Sequence, residues 1–255
     1  MLLHGEKAVY NVGSKIAETA MYRLYVAKEG SKDVLLRIST GTGGNGDLER
    51  EDFLLKHLAR MSAEYEDEYA RTKSGAGRLN YTWLFPTSAD SFISKEQGGR
   101  RVNILTLEGA KISQVAPLTK FKAQEKVDVK TTIWVLGRLL KLQGFVNEVG
   151  IGYGFSENEV LIGPKNHNVI YLGWLDARFE ENPDPRPSIK AAARSILEWG
   201  APNGTEGETE YFTYLKTLAS QGHRSTLDAF HDLYALAAEL WGERKYHPYT
   251  TVTVV

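Results

Sequence analysis

Cysteine is absent from the 255 residues of this chain. Disulfides, thiolate metal ligands and cysteine nucleophiles are therefore excluded. The six histidines include no pair four residues apart, the spacing of two metal ligands on one helix face. The sequence accordingly predicts no metal site and no cofactor.

Long apolar runs are absent too, and no charge of one sign dominates. No stretch is long enough to span a bilayer, and the first residues lack the apolar segment of a signal peptide. A formal net charge of −1 gives no general attraction for nucleic acid or for an anionic membrane surface. We therefore expect a cytoplasmic protein that binds neither nucleic acid nor membranes.

What the chain does contain is a strand-rich first part and a helix-rich second part. The hydrophobic pattern predicts five strands in the first 107 residues, two of them within 8–27 and the others at 34–38, 81–85 and 102–107. Asp47 is the candidate N-cap of one helix in this part. The apolar stripe of that helix is Leu48, Leu54, Leu55, Leu58 and Met61.

The second part predicts helices along 129–140, 188–199, 210–220 and 225–242, with a small hairpin at 160–172. Ser225 and Asp228 form the start of a capping box for the last helix. Strands followed by helices in this order predict an α+β protein with two lobes.

Residues 41–46 read Gly-Thr-Gly-Gly-Asn-Gly, a literal G-x-G-x-x-G motif between a predicted strand and helix. Such a loop can bring backbone N–H groups close to a pyrophosphate, which supports a hypothesis of Rossmann-like nucleotide binding. The alternative is a plain connector. We favour the connector because the neighbouring strands follow one another without βαβ alternation, and because Asp47 would repel a bound phosphate.

Several landmarks, taken in order, resemble those of protein kinases over nearly the whole chain. Residues 16–27 lie where kinases have the glycine-rich loop, and 34–37 lie where they have V-A-I-K. Glu51 matches the helix glutamate that pairs with that lysine. Residues 152–162 resemble the catalytic loop, H-x-D-x-x-x-x-N, and 171–174 lie at the position of D-F-G.

The likeness is greatest to a divergent bacterial serine/threonine-kinase-like group. Residues 46–51 correspond to its N-D-L-x-x-R-E motif and 241–249 to its C-terminal Y-G-x-R-K-F-x-P-F motif. The resemblance implies a bacterial or phage source and a two-lobed kinase-like fold. It implies a five-stranded small lobe with one main helix at 1–109, and a reduced, mostly helical large lobe at 110–255.

The departures from the family pattern fall on the groups that perform the chemistry. Phosphoryl transfer depends on positioning and charge neutralisation. Ala17, Thr19 and Tyr22 stand at the glycine positions of the loop, where side chains obstruct a close backbone approach. Arg37 replaces the lysine with a bulkier, forked cation.

The large lobe has lost its catalytic and metal-binding groups as well. Gly154 stands at the catalytic aspartate, Glu159 at the metal-binding asparagine and Gly173 at the metal-binding aspartate. Glycine can neither orient a hydroxyl nor coordinate magnesium. Glu157 and Asp176 lie close enough in sequence to compensate, but we interpret both as ordinary exposed acids.

The segment between Gly173 and the next predicted helix, 174–187, is too short for an activation segment with its A-P-E anchor. Ser188 stands where kinases keep a structural aspartate. The resemblance therefore implies a shortened activation segment, and it does not support docking of peptide substrates in the usual mode.

The main hypothesis is a pseudokinase, not an enzyme, that acts as a scaffold or allosteric module with an unknown protein partner. Its vestigial cleft would contain Arg37, Glu51, Gly154, Glu159 and Gly173. The alternative is a divergent nucleotide-dependent transferase that uses the same cleft, with Arg37, Glu51, Leu105 and Leu107 as candidate nucleotide contacts. In either case we predict that Arg37 and Glu51 form an ion pair, because arginine can engage a carboxylate bidentately.

Overall fold

The computed structural model describes residues 1–73, 79–243 and 245–253. Arg244, part of the C-terminal motif, lies outside the described residues. Contacts divide the chain into two compact units. The first comprises Met1–Ser113 together with Trp174–Asp176, and the second comprises Gln114–Gly173 and Ala177–Val255.

The first unit is an antiparallel sheet of six strands with one long helix. The strands are β1 (Leu2–His4), β2 (Val9–Glu18), β3 (Tyr22–Glu29), β4 (Lys32–Ser39), β5 (Thr87–Ser94) and β6 (Arg100–Thr106), and the helix is α1 (Asn45–Thr72). The strand order is β1-β2-β3-β4-β6-β5, and every neighbouring pair is antiparallel. A Rossmann-like unit needs parallel strands, so this topology excludes that fold for the first unit.

Side chains from opposite ends of the strand order meet, so the sheet is curled. Tyr10 of β2 donates a 3.0 Å hydrogen bond to Asp90 of β5 and stacks on Phe92 at 6.1 Å between ring centroids. The buried cluster inside the curl contains Leu3, Tyr10, Ala27, Val34, Leu36, Ile38, Phe92, Val102 and Ile104. The leucines predicted for the helix stripe are buried on α1, whereas Met61 is only half-buried.

Trp174–Asp176 is built into the first unit although it comes much later in the chain. Trp174 is fully buried and meets the ring of Phe85 edge-on, with 6.1 Å between centroids. Arg50 of α1 donates a 2.8 Å hydrogen bond to the carbonyl oxygen of Leu175. The segment therefore completes the core of the first unit and is attached to its helix.

The second unit is mainly helical. Its helices are α2 (Leu118–Gln124), α3 (Val129–Glu148), α4 (Arg186–Trp199), α5 (Glu208–Gln221) and α6 (Thr226–Trp241). Its short strands are β7 (Ala116–Pro117), β8 (Lys126–Val127), β9 (Ile151–Gly152), β10 (Val160–Gly163), β11 (Asn168–Tyr171), β12 (Arg178–Phe179) and β13 (Thr251–Val252).

Helix α3 lies at the centre of the second unit. Most of its side chains are buried, as expected of a helix that is apolar on nearly every face. Asp128 caps it by accepting a 2.8 Å hydrogen bond from the N–H of Thr131. The side chain of Ser225 caps α6 by accepting a bond from the N–H of Asp228, so the predicted start of that helix is confirmed.

Three local predictions were wrong. Residues 81–85 form a turn, with a 2.9 Å hydrogen bond from the N–H of Leu84 to the carbonyl of Tyr81, and the strand begins at Thr87. Leu84 and Phe85 are buried in this turn and Trp83 is 37% exposed, so the apolar composition alone mimicked a strand. Helix α1 begins at Asn45 with Gly44 as N-cap, which places Asp47 inside the first turn. The sheet also has a sixth strand, β1, which the hydrophobic pattern did not indicate.

None of the helices in the described part of the chain carries an apolar stretch long enough to traverse a lipid bilayer.

Candidate functional site

The residues predicted for the site belong to both units. Arg37, Glu51, Leu105 and Leu107 are in the first unit, and Gly154, Glu159 and Gly173 are in the second.

Arg37 of β4 and Glu51 of α1 form an ion pair in the interior of the first unit. Both side chains have 0% exposure, and Nη1 of Arg37 donates to Oε1 of Glu51. Asn103 lies opposite Arg37 on β6 and donates a 2.9 Å hydrogen bond to the other Glu51 oxygen. The predicted pairing is confirmed, and an amide donor holds the carboxylate in place.

Tyr22 covers the guanidinium of Arg37. The centre of the guanidinium lies 4.1 Å from the ring centroid of Tyr22, within the range of a cation–π contact. Tyr22 is itself only 3% exposed. The aromatic ring at the third glycine position therefore lies over the cation that stands at the kinase lysine position.

The side chain of Thr19 stabilises the turn of the hairpin between β2 and β3. Oγ1 of Thr19 accepts hydrogen bonds from the N–H groups of Met21 and Tyr22, at 3.2 and 3.1 Å. The N–H of Thr19 donates to the carbonyl of Tyr22 at 2.9 Å. The N–H groups of Thr19, Met21 and Tyr22 are thus already engaged inside the turn, which leaves fewer of them to bind a phosphate.

The two leucines predicted to contact a nucleotide differ in exposure. Leu105 is fully buried in β6, opposite Leu35 of β4, whereas Leu107 follows the end of β6 and is half-buried. Beyond them, the indole of Trp83 lies against Gly109, whose φ of +67° favours glycine. A nucleotide contact by either leucine stays a prediction.

In the second unit, Tyr171 occupies the centre of the predicted catalytic loop. Its hydroxyl donates a 2.6 Å hydrogen bond to the carbonyl of Gly154 and accepts a 3.2 Å bond from the N–H of Ser156. Its ring contacts those of Tyr153 and Phe155, at centroid distances of 4.9 and 5.9 Å. Burial raises the pKa of Tyr153, so its phenol is neutral here.

The space beside Gly173 is filled by the same tyrosine. A Cβ atom added to Gly173 would overlap the hydroxyl of Tyr171 and lie 2.5 Å from its Cζ. A Cβ added to Gly154 would meet no atom within 4 Å. The metal-binding aspartate position is therefore sterically closed to any larger side chain, whereas the catalytic aspartate position is open.

Glu159 closes a short 3-10 turn at Glu157–Glu159 just before β10. Its carbonyl accepts a 2.7 Å hydrogen bond from the N–H of Leu172, and its side chain is half-buried. The backbone of Glu159 thus holds the end of the β10–β11 hairpin to the loop. The place of Glu159 in a vestigial cleft stays a prediction.

Glu157 is not the ordinary exposed acid that we expected. Its Oε2 lies 2.5 Å from both Nζ of Lys122 and Oγ of Ser195. Burial alone would raise the pKa of Glu157, but these two hydrogen bonds outweigh it and hold the pKa below its usual range. The carboxylate is committed to a structural link between α2 and α4. Asp176 is exposed, as expected.

Ser188 supports the backbone of the predicted catalytic loop. Its hydroxyl donates a 2.5 Å hydrogen bond to the carbonyl of Tyr153. The segment that follows Gly173 is also attached to this region, because β12 pairs with β9. The loop is therefore held in a defined conformation. Within the described ranges, no cluster of three histidine, aspartate or glutamate side chains could hold a metal ion.

The glycines at 41–46 serve as a connector between β4 and α1. None has a positive φ, and Thr42–Gly44 form a single 3-10 turn. Cβ atoms added to Gly43 and Gly46 would meet nothing within 4 Å. The backbone here needs neither the conformational freedom of glycine nor its small size.

Replacing Gly43 and Gly44 together with alanine should therefore change the free energy of unfolding by less than about 1 kcal/mol, because the gain from a stiffer unfolded chain is offset by the poorer N-cap at position 44. Alanine restricts the unfolded chain and meets only ordinary contacts at Gly44. The measurement is urea unfolding. Gly109→Ala is the matched control, and it should lose more than about 1 kcal/mol because its φ is positive and its Cβ would overlap Trp83. A large loss in the double variant would contradict the connector interpretation.

No protein-family model matches this chain, and no curated protein sequence matches it. Solved structures do match. Vaccinia related kinase 3 has a TM-score of 0.64 at 12% identity, over 94% of this chain and 90% of that one. The BubR1 kinase domain has a TM-score of 0.66 at 10% identity, over 94% and 83%. The PknI kinase domain of M. tuberculosis has a TM-score of 0.54 at 9% identity, over 93% and 98%. The chain therefore has a protein-kinase-like α+β fold.

Proposed function

We propose that this chain is a pseudokinase: a catalytically inactive kinase-like module that acts as a scaffold or allosteric partner of another protein. The observation that carries the proposal is the state of Arg37. It stands at the position of the phosphate-binding lysine, yet it is 0% exposed, is ion-paired with Glu51 and is covered by Tyr22. A cation so enclosed cannot neutralise a transferring phosphoryl group.

The second unit supports the same proposal independently. Gly154 and Gly173 supply no carboxylate, and Tyr171 fills the space in which an aspartate at position 173 would have to stand. The loop itself is kept in order by the hydroxyls of Tyr171 and Ser188. An ordered loop that lacks carboxylates at positions 154 and 173 supports a role in binding a partner and not in catalysis.

The partner in this proposal is a protein, and the module works in the cytoplasm, with neither nucleic acid nor a membrane as its target. The net charge of −1 supports this choice, because it offers no general attraction to polyanions.

The test is a thermal-shift titration of the purified chain with ATP, with and without magnesium, and with NAD. Mass spectrometry of the protein and of added acceptor proteins would detect transferred phosphoryl or adenylyl groups. We expect no shift and no transfer. A ligand at a hundred times its Kd would stabilise the protein by about 2.7 kcal/mol, which corresponds to a rise of about 5–10 °C in Tm for a domain of this size.

Each other outcome has a definite meaning. Magnesium-dependent transfer that is lost in Glu157→Gln or Asp176→Asn would replace the pseudokinase by the divergent transferase. A shift with NAD that is lost when Gly43 and Gly44 become alanine would favour nucleotide binding by the glycine loop. Binding of ATP without transfer would leave catalysis excluded but would contradict the closed state of Arg37.

A further inference from the structure

The sequence contains two Asn-Gly dipeptides, Asn45-Gly46 and Asn203-Gly204. In such a pair the backbone nitrogen of the glycine can attack the side-chain carbonyl carbon of the asparagine, because glycine has no Cβ to obstruct the approach. The two dipeptides lie in different environments. The first is at the start of α1, and the second is in the exposed loop between α4 and α5.

The side chain of Asn45 is held away from this reaction. Its Oδ1 atom accepts hydrogen bonds from the hydroxyl of Ser39 at 3.0 Å and from the N–H of Arg101 at 2.7 Å. Its Nδ2 atom donates to the carbonyl of Gly99 at 2.9 Å. The backbone is helical, with φ −62° and ψ −38°. Both ends of the amide are therefore fixed, and the side chain cannot turn toward the nitrogen of Gly46.

The side chain of Asn203 is polarised by its neighbour Thr205. Its Oδ1 atom accepts hydrogen bonds from the hydroxyl of Thr205 at 2.5 Å and from the N–H of Thr205 at 3.3 Å. Negative charge develops on a carbonyl oxygen when a nucleophile adds to its carbon, and donors that already point at that oxygen stabilise the charge. These two donors therefore favour attack on the side-chain carbonyl of Asn203.

A carboxylate lies beside the attacking nitrogen. The N–H of Gly204 donates a 3.2 Å hydrogen bond to Oε2 of Glu208, whose residue is only 6% exposed. The N–H of Asn203 donates to the same carboxylate at 3.1–3.2 Å and keeps it in place. A base at hydrogen-bond distance can accept the proton that the nitrogen loses as it attacks. A Cβ added to Gly204 would meet no atom within 4 Å, so the loop is also open to water.

We propose that Asn203 is a site of spontaneous deamidation that the fold itself promotes. The nitrogen of Gly204 forms a bond to Cγ of Asn203, its proton passes through Glu208 to the departing side-chain nitrogen, and ammonia leaves. The product is a cyclic succinimide. Water then opens this ring at one of its two carbonyl carbons. One opening yields aspartate, and the other yields isoaspartate, in which the main chain runs through Cγ.

The reaction changes the attachment of the loop to α5. The succinimide has no N–H at residue 204, and both final products carry a new carboxylate at residue 203, whose backbone binds the carboxylate of Glu208. Like charges at short distance repel, so the modified loop is held less firmly to the start of α5. This site lies wholly in the second unit and involves none of the residues on which the proposed function depends.

The experiment compares the folded chain with the chain unfolded in urea, at the same neutral pH and temperature. Peptide mass spectrometry measures the conversion of Asn203 and of Asn45 to aspartate and isoaspartate over time. We expect Asn203 to convert about tenfold or more faster in the folded chain, because a positioned donor and base lower the barrier. Asn45 is the internal control, and it should convert about tenfold or more slowly when folded, since it reacts only after local opening. If folding leaves the rate at Asn203 unchanged or lowers it, the inference is overturned.

Variants of the exposed residue Thr205 identify the polarising group. Thr205→Val removes the hydroxyl and should slow the conversion of Asn203 in the folded chain by about tenfold. Thr205→Ser is the matched control, which keeps the hydroxyl and should retain the rate. Glu208→Gln keeps a hydrogen-bond acceptor but removes the base, and it should also slow the conversion by about tenfold. Equal rates in Thr205→Val and Thr205→Ser would overturn the inference, as would faster conversion in folded Glu208→Gln. If Glu208→Gln does not fold, the Thr205 pair decides.

Discussion

Glu51→Gln should destabilise the protein by about 3–5 kcal/mol, and Arg37→Met should cost a similar amount. Each substitution leaves one charged group buried without its ionic partner, in an interior where both side chains have 0% exposure. The double variant should lose far less than the sum of the two single losses, because it leaves no unpaired charge. The measurement is a double-mutant cycle of urea unfolding free energies.

The same helix supplies a matched control for this cycle. Arg60 and Glu64 form an ion pair with 2.9 Å between Nη1 and Oε1, but their side chains are 59% and 55% exposed. The coupling between Arg60→Met and Glu64→Gln should be at most about 0.5 kcal/mol. Strictly additive losses at Arg37 and Glu51, or equal coupling in the two cycles, would refute a buried structural pair.

Gly173→Asp, the substitution that returns the metal-binding carboxylate, should destabilise the protein by about 3 kcal/mol and confer no phosphoryl transfer. The reason is steric, because the new Cβ would overlap the phenol of Tyr171. Gly154→Asp is the matched control at the other catalytic position. Its Cβ meets no atom within 4 Å, so its stability should change by about 0.5 kcal/mol or less.

A third variant identifies the obstructing group. Tyr171→Ala removes the phenol, so Gly173→Asp should cost less in that background than alone, with a coupling of about 0.5–3 kcal/mol. Unfolding free energies and transfer assays on all four proteins provide the measurement. If Gly173→Asp were as stable as the unmodified chain, or if it gained magnesium-dependent transfer, the closed metal position would be disproved.

Regular elements were predictable from the sequence where hydrophobic periodicity and capping residues agreed. Ser225 and the apolar residues of 225–242 located α6, and the β10–β11 hairpin followed from two short apolar runs around a turn. The turn at 81–85 was not predictable in this way, because Leu84 and Phe85 are buried by tertiary contacts and not by strand pairing. Strand β1 is only three residues long, too short to show a period.

A contact in the site was predictable only where the sequence pattern places both residues on a strand or helix face that is expected to be buried. Arg37 ends an apolar strand segment and Glu51 lies on the buried stripe of a helix, so their pairing followed from position. The contacts of Tyr22 and Tyr171 did not, since an aromatic residue beside a turn has many possible neighbours. No local sequence pattern predicts that the hydroxyl of Tyr171 donates a hydrogen bond to the carbonyl of Gly154, which lies 17 residues earlier.

The attachment of Trp174–Asp176 to the first unit affects the order in which the chain can fold during synthesis. Domains usually fold as units, the N-terminal one first. Here the ribosome completes β1–β6 and α1 well before it adds Trp174, whose ring belongs beside Phe85. A nascent chain that ends at Ser113 lacks this ring and also the Leu175 carbonyl that binds Arg50. The first unit begins folding early, but it can finish only after residues 114–176 have been made.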